Sequence, residues 1–425
     1  MAEQRAERVP SSDAFFLHVE SPAAPHHVGG LIMLDTAKAG GPPRREQAIA
    51  AIKAKLPALP RFRLRPSPSS RWRRPRWVPH EDLDWEWHVP AFDLTRPDGR
   101  PGGMSALHEL VAGLSARPLP RDRPLWRFCL VAGVEENVAA IVSLVHHSVA
   151  DGIGTVNLML RLFDSPDLTA GVEDVVLPSL PRRILGGVIG LAQLATDRRP
   201  RAALPVSPVA ERRFATLALD LDTVRHLARA RGARVTDLLL SGTAGALRRI
   251  SDHPLPPTLL VNVPLMAAEI RPGKDGGVGN ITAGVMVEVP LGDMPERARL
   301  AAIAKATNRL RTGTRVIASR FVMTRIADLM PPAFHAWFAR AVYGGKFFNG
   351  TVSNMPGATW QVTALGEYPL ITAYPIIPIA PGTPFVVGVL GWYGVFSMTV
   401  ATDPAFAGDA ERFVDEFQKV LDELS

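Results

Sequence analysis

The sequence predicts a two-domain protein of the α/β class, or α+β, with mixed sheets and helices in each half. Three observations carry this. The chain has 425 residues, long for one hydrophobic core. Both halves alternate β-rich apolar runs with amphipathic, capped segments. Over residues 166–210 the pattern dissolves into prolines and short apolar runs, as an interdomain linker does. The expected units are therefore 1–165, a linker 166–210, and 211–425.

In chain order, Ser11-Ser-Asp supplies capping residues before the apolar patch Ala14 to Leu17. His26-His27 precedes a strand running to Leu34, and reads as structural or as lining a channel entrance. Gln47 to Leu56 reads as a helix. Pro57 to Pro79 is rich in proline and arginine, with Phe62, Trp72 and Trp77 interleaved. Such a run can bind single-stranded nucleic acid, lipid head groups or carrier phosphates; most often it is a solvated edge hairpin. Met104 to Ser115 places Leu107, Leu110, Val111 and Leu114 on one helical face. Pro124-Leu125-Trp126 leads into a strand, and Glu135-Glu-Asn turns the chain back.

The returning strand, Ala139 to Val145, ends in His146-His147-Ser-Val-Ala-Asp151-Gly152. Asp-Gly is a strong turn signal, and the stretch after Gly154 has a helical composition. Neighbouring strand side chains point to opposite faces, so at most one of the two imidazoles enters a given pocket. An aspartate four residues on can fold back and fix the geometry. A lone histidine at a strand end is usually a satisfied polar group. The pair with Asp-Gly at this spacing shifts the reading toward proton transfer near neutral pH. A metal site is disfavoured, because the two rings diverge and no Cys/His/acid cluster accompanies them.

In the second half, Phe214 to Leu219 is a strand, and Asp222 is the expected cap of a helix stopping at Gly232. Thr236 and Asp237 are expected to cap the next helix, Leu238 to Ile250. Strands at Leu259–Val263 and Ala283–Val289 flank a loop with Gly279-Asn280. Asp293 and Pro295 start a helix running to about Gly313. Phe321 to Phe338 is apolar and aromatic, broken by Pro331-Pro332. Val352-Ser353-Asn354-Met355-Pro356-Gly357 is a strand with a sharp turn. Pro384–Leu390 and Tyr393–Val400 form a hairpin, and Asp409 caps a final amphipathic helix.

Net charge is +7 and the pI is near 9.9, which suits an anionic partner such as a membrane surface or a phosphorylated substrate. Mean hydropathy of +0.08 hints at lipid contact. The single cysteine, Cys129, excludes an internal disulfide and fits a reducing compartment. The first residues lack the apolar core of a signal peptide, and no run reaches membrane-spanning length. The apolar run Ile184 to Ala195 has arginines at both ends, which suits a helix lying on a bilayer as well as one in a core.

Taken together, these motifs resemble the bacterial wax ester synthase/acyl-CoA:diacylglycerol acyltransferase family. His146 to Gly152 matches its HHxxxDG, a signature shared across the chloramphenicol-acetyltransferase-like superfamily. Pro124-Leu125-Trp126 matches the more specific PLW motif. Ser12-Asp13 with His27-Val28-Gly29-Gly30, Gly279-Asn280, and Val352 to Gly357 resemble further family motifs in family order. The family's NDVVLA stands here as Thr236-Asp237-Leu-Leu-Leu-Ser241, with threonine replacing asparagine.

The resemblance implies two chloramphenicol-acetyltransferase-like domains with a substrate channel between them. It implies transfer of a long-chain acyl group from acyl-CoA, a co-substrate, to a diacylglycerol or fatty alcohol. His147 would be the general base, with His146 structural. Asp151 would orient the loop, and Gly152 would allow a tight turn. Asn280, Ser353 and Asn354 are the candidate oxyanion donors, and Thr236 and Asp237 lie at the substrate-binding motif. Pro124, Leu125 and Trp126 would shape the surrounding packing. No metal or redox cofactor is implied, and no nucleic-acid partner is expected. The expected location is the cytoplasm, peripheral at the inner membrane or at lipid droplets. The nearest alternative is a superfamily enzyme forming esters or amides from carrier-bound acyl groups. A non-enzymatic lipid- or nucleic-acid-binding protein is the remoter one.

Overall fold

Val138–His146 and its neighbours are almost wholly apolar, as befits strands covered on both faces. A computed structural model describes residues 6–163, 170–174, 200, 202–251, 253–265, 268–272, 283–308, 326–357, 359–407 and 409–425. Two six-stranded mixed sheets organise them. The first runs Thr363–Ala364, Tyr368–Ile376, His27–Asp35, Val138–His146, Trp126–Glu135, Ala91–Asp93. Only its last pairing is parallel. The second runs Ala283–Pro290, Thr258–Leu265, Gly350–Pro356, Phe385–Trp392, Val395–Thr402, Arg213–Asp220, with Gly350–Pro356 parallel to both neighbours. Helices cover the sheets, in agreement with the mixed class read from the sequence.

Tyr368–Ile376 is the element that ties the halves together. It belongs to the second half in sequence, yet pairs antiparallel with His27–Asp35 in the first sheet. Its Thr372 hydroxyl lies 2.7 Å from that of Ser397 in the second sheet, both buried. Arg212 donates to Ala23 O at 2.9 Å and pairs with buried Asp403 at 3.3 Å. His108 and Thr216 make a third tie at 3.0 Å.

Several local expectations change. The helix Leu221–Ala230 is capped by Asp220, whose carboxylate accepts from Thr223 N, and not by Asp222 in its first turn. Thr236 does not cap its helix, which begins at Val235 behind Arg234; Asp237 shares in the cap, though from inside the helix. Asp237 is its third residue and accepts from Arg234 N at 2.9 Å, an acid at the positive helix end. The proline-arginine segment does contain a hairpin, Leu64–Pro66 with Arg76–Pro79, joined by Glu7–Arg8. Two of its arginines face inward, however. Arg61 pairs with buried Asp13 at 3.7 Å, and Arg74 reaches the carbonyls of Ala327, Asp328 and Met330. Ile184–Ala195, Gly279-Asn280 and the first residues of Phe321–Phe338 lie outside the described residues. Among the described residues, no helix is long and apolar enough to cross a membrane.

Candidate active site

The histidine strand stops where its backbone finds two fixed partners. His146 N donates to Leu125 O at 3.0 Å, and His147 N donates to His26 O at 2.8 Å. Pro124, Leu125 and Trp126 are buried, so the PLW segment fixes the strand end through a carbonyl. Trp126 itself stacks on Phe62 and donates from Nε1 to Phe62 O at 2.9 Å. Beyond the histidines, Asp151 accepts from Gly154 N at 2.7 Å and caps the helix Gly152–Leu162.

The two imidazoles have different surroundings. His146 is fully buried. Ser148 N donates to its Nδ1 at 3.0 Å, and Ser148 Oγ lies 2.7 Å from the same atom. A backbone N–H can only donate, so Nδ1 is an acceptor and the ring proton belongs on Nε2. Nε2 faces Glu20 Oε1 at 3.3 Å, a charge contact off the best hydrogen-bond line. His147 is half-buried and stacks on Phe16, with ring centroids 3.8 Å apart. His26 stands 6.2 Å from His147 by centroid, and Tyr343 5.5 Å from His26.

Burial, then the neighbouring His147 and His146, push His26 down to about 3, so it is neutral at working pH. Burial likewise lowers His27 to about 4 and raises Tyr343 above its ordinary value. Burial alone would raise Glu20. The contacts with His146 and Arg121 and the His26 N–H outweigh it and hold the carboxyl well below its usual range. His27 also borders a cavity at the seam of the two halves, lined by Pro25, Ala112, Arg212, Phe214 and Ile379. Among the described residues, no group of three His, Cys, Asp or Glu side chains could hold a metal ion.

From the second half, Met355 reaches the turn. A Cβ on Gly152 would stand 2.7 Å from Met355 Sδ. Gly152 has no positive φ, so a tight turn is not what calls for glycine there; close approach of the other half is. Strand alternation sets Ser353 on the Met355 face and Asn354 on the other. Asn354 Nδ2 donates to Thr236 Oγ1 at 3.2 Å, so an amide from the strand meets the hydroxyl that replaces the family asparagine. Asp237 accepts from Thr307 and Arg234 and is buried. The structure thus brings together His146, His147, Asp151 and Gly152, with Leu125 behind them and Met355 in front. Asn354 pairs with Thr236, while Asn280 lies outside the described residues.

Phe16, Glu20 and Tyr343 carry no site signal in the sequence; His26 is signalled by the His26-His27 dipeptide, read as structural or as lining a channel entrance.

A family model described as the wax ester synthase/diacylglycerol acyltransferase catalytic domain matches residues 10–183, and the corresponding C-terminal domain model matches 278–425. The chain belongs to the wax ester synthase/diacylglycerol acyltransferase family. It is an acyltransferase, with an acyl-CoA and an acyl acceptor as its substrates. A Mycobacterium tuberculosis protein named for diacylglycerol O-acyltransferase activity is 27% identical over 80% of this chain and 78% of its own length. A second from that organism is 24% identical over 98% of this chain and 90% of its own. In fold, the chain is similar to the wax ester synthase/diacylglycerol acyltransferase from Marinobacter aquaeolei VT8. That match has a TM-score of 0.69 and 22% identity, covering 98% of each chain. The first condensation domain of the CDA synthetase follows at TM-score 0.64 and 16% identity, over 99% of this chain and 96% of that one. The family's fold therefore extends over both halves, as the motifs implied.

Proposed function

We propose that the enzyme moves a long-chain acyl group from acyl-CoA to the hydroxyl of a diacylglycerol or a fatty alcohol. His147 takes the proton from the acceptor hydroxyl. The oxygen attacks the thioester carbonyl, and the C–S bond breaks as the tetrahedral intermediate collapses. The imidazolium returns its proton to the CoA thiolate. One observation supports this most: His146 is buried with its basic nitrogen taken by Ser148, while His147 is the half-buried member of the pair. Ser353, on the face that meets Gly152, is the described candidate donor to the oxyanion. The reaction uses no metal or redox cofactor. The enzyme works in the cytoplasm, peripherally, where its lipid acceptors partition.

Thiol release from palmitoyl-CoA across a panel of diacylglycerol, long-chain alcohol and amine acceptors tests this reading. Ester formation with a lipid hydroxyl is expected. Activity only with carrier-bound acyl groups would overturn it in favour of the condensation-type reading, which the likeness to condensation domains keeps in the comparison.

A further inference from the structure

The helix Pro332–Val342 packs by one face and, among the described residues, leaves the other exposed. His335 and Ala339 are buried against the helix Ser11–Val19. Phe334 and Trp337, one turn apart and stacked at 5.3 Å, are 48% and 58% exposed. Leu329, just before the helix, is 86% exposed. Exposed aromatics of this size, clustered, mark an interaction surface.

Its rim is basic. Arg340 continues the exposed stripe at the i+3 position from Trp337. Arg8 donates to Asp328 O at 3.4 Å. Arg74 takes the carbonyls on either side of Leu329 and pairs with the Asp328 carboxylate at 3.6 Å, which offsets the acid of this corner. That hook also brings in the hairpin tip Arg71-Trp72-Arg73, since two residues span at most ~7 Å. Trp72 is 77% exposed, with the Arg71 guanidinium over its ring at 5.3 Å. Glu7, beside Arg8, and Asp328, held by Arg74, are the exposed acids described on this edge.

We propose that Leu329, Phe334, Trp337 and Trp72, ringed by Arg8, Arg71, Arg73 and Arg340, form a docking surface for an anionic phospholipid bilayer. The charge pattern selects the occupant. Apolar and aromatic tips enter the head-group boundary while the guanidinium groups meet lipid phosphates. Placement supports it as well. The buried face of the same helix packs on the helix carrying Phe16, which stacks on His147. Docking here sets the candidate site beside the phase that holds its acceptor. The assignment rests on the lipid-acceptor reading above, and it names the surface and lipid charge that the reading leaves open.

Vesicle co-sedimentation of the full chain tests it, comparing phosphatidylcholine vesicles with phosphatidylcholine–phosphatidylglycerol vesicles at low and high salt. Binding to the anionic vesicles is expected, weakened by salt. The double variant Phe334→Ser/Trp337→Ser should bind them about tenfold less well. Its melting temperature and its thiol release with detergent-dispersed acceptor should stay at parental levels. Equal binding by parent and double variant, or no preference for anionic vesicles, would overturn the assignment. So would a vesicle-independent dimer, seen by light scattering, that the double variant abolishes. If the parent fails in the detergent assay yet binds vesicles through this face, the acyl-transfer reading fails and the surface stands.

Discussion

His26-His27 leads into one strand and His146-His147 ends its antiparallel neighbour, so the pairs meet across the ladder with His27 opposite His146. The dipeptides are identical, and their uses differ. At the first pair both rings are buried and held neutral, and His26 lends the other pair a carbonyl. At the second, the chain continues through Ser148 and Asp151. Ser148 occupies the His146 nitrogen, and Asp151 starts a helix. The residues after each pair decide what its histidines do. On the proposed mechanism His147 serves as the base because its neighbour's ring is committed to Ser148.

The sharpest way to break this contrast is to delete one ring from each pair. His147→Ala is expected to lower acyl transfer by about 10²–10⁴-fold, the usual worth of general-base catalysis, with an unchanged circular dichroism spectrum. His26→Ala should cost far less, since the hydrogen bond it gives His147 comes from its backbone carbonyl, which alanine keeps, and the rings stand 6.2 Å apart. Equal losses in a thiol-release assay would show that the pairs are not functionally distinct.

Acid should expose the burial of the first pair. His18, His26, His27, His88, His108 and His335 all have folded values of about 3 to 4, with burial as the first cause. The unfolded chain protonates them near 6.5, so between about pH 6.5 and 4 it binds more protons than the folded chain. Stability is full above that window and falls as pH drops through it. At pH 5 the fully buried His26 and His27 each forfeit on the order of 1–2 kcal/mol; the less enclosed His18 and His335 contribute less, and the losses are not additive because His335 itself lowers His18. Thermal melts at pH 7 and pH 5 should differ by many degrees. A flat profile would mean that these rings are hydrated.

Gly29 follows the first pair, and Gly29→Ala is expected to be severe. A Cβ there would lie 1.8 Å from Ser143 O, on the backbone of the adjacent strand. The ladder must open, at about 3 kcal/mol or more. Chemical denaturation reads this directly, and a loss below ~1 kcal/mol would show that the strands part easily.

Much of this site was legible where the signals are local. The strand, the Asp-Gly turn, the PLW segment and the cap at Asp409 are all written within a few residues of one another. The features without a local signal depend on distant chain. Tyr368–Ile376 carries Pro369 and Pro375, which argue against a sheet interior, yet it completes the first sheet. Its pairing with His27–Asp35 shifts register between Leu370 and Thr372. Glu20 carries no local signal, because His146 and Arg121 reach it only in the folded chain. The Thr236 substitution was legible, but not the Asn354 amide that meets it. Arg61 and Arg74 read as solvent-facing, because composition does not reveal a buried partner.

Glu20 links the two pairs, and its removal should be felt at both. Glu20→Gln keeps the shape but takes away the charge facing His146 Nε2 and Arg121. A loss of about 1–3 kcal/mol is expected, together with a lower kcat at nearly unchanged KM, since Glu20 positions groups and touches no substrate. If KM rose instead with kcat intact, Glu20 would belong to the binding surface.

Gly152→Ala should be milder than Gly29→Ala, although both glycines sit at close approaches. Here the obstructing atom is Met355 Sδ, part of a flexible side chain, and not a strand carbonyl. The thioether can move, so the expected cost is about 1 kcal/mol, with a modest fall in activity as the second half shifts against the turn. The double variant Gly152→Ala/Met355→Ala decides the cause. If the contact carries the effect, Met355→Ala should recover part of the loss, with a coupling of at least ~0.5 kcal/mol in a double-mutant cycle. Strict additivity would place the effect in the helix cap at Asp151, and Gly152 would then serve its own half of the molecule alone.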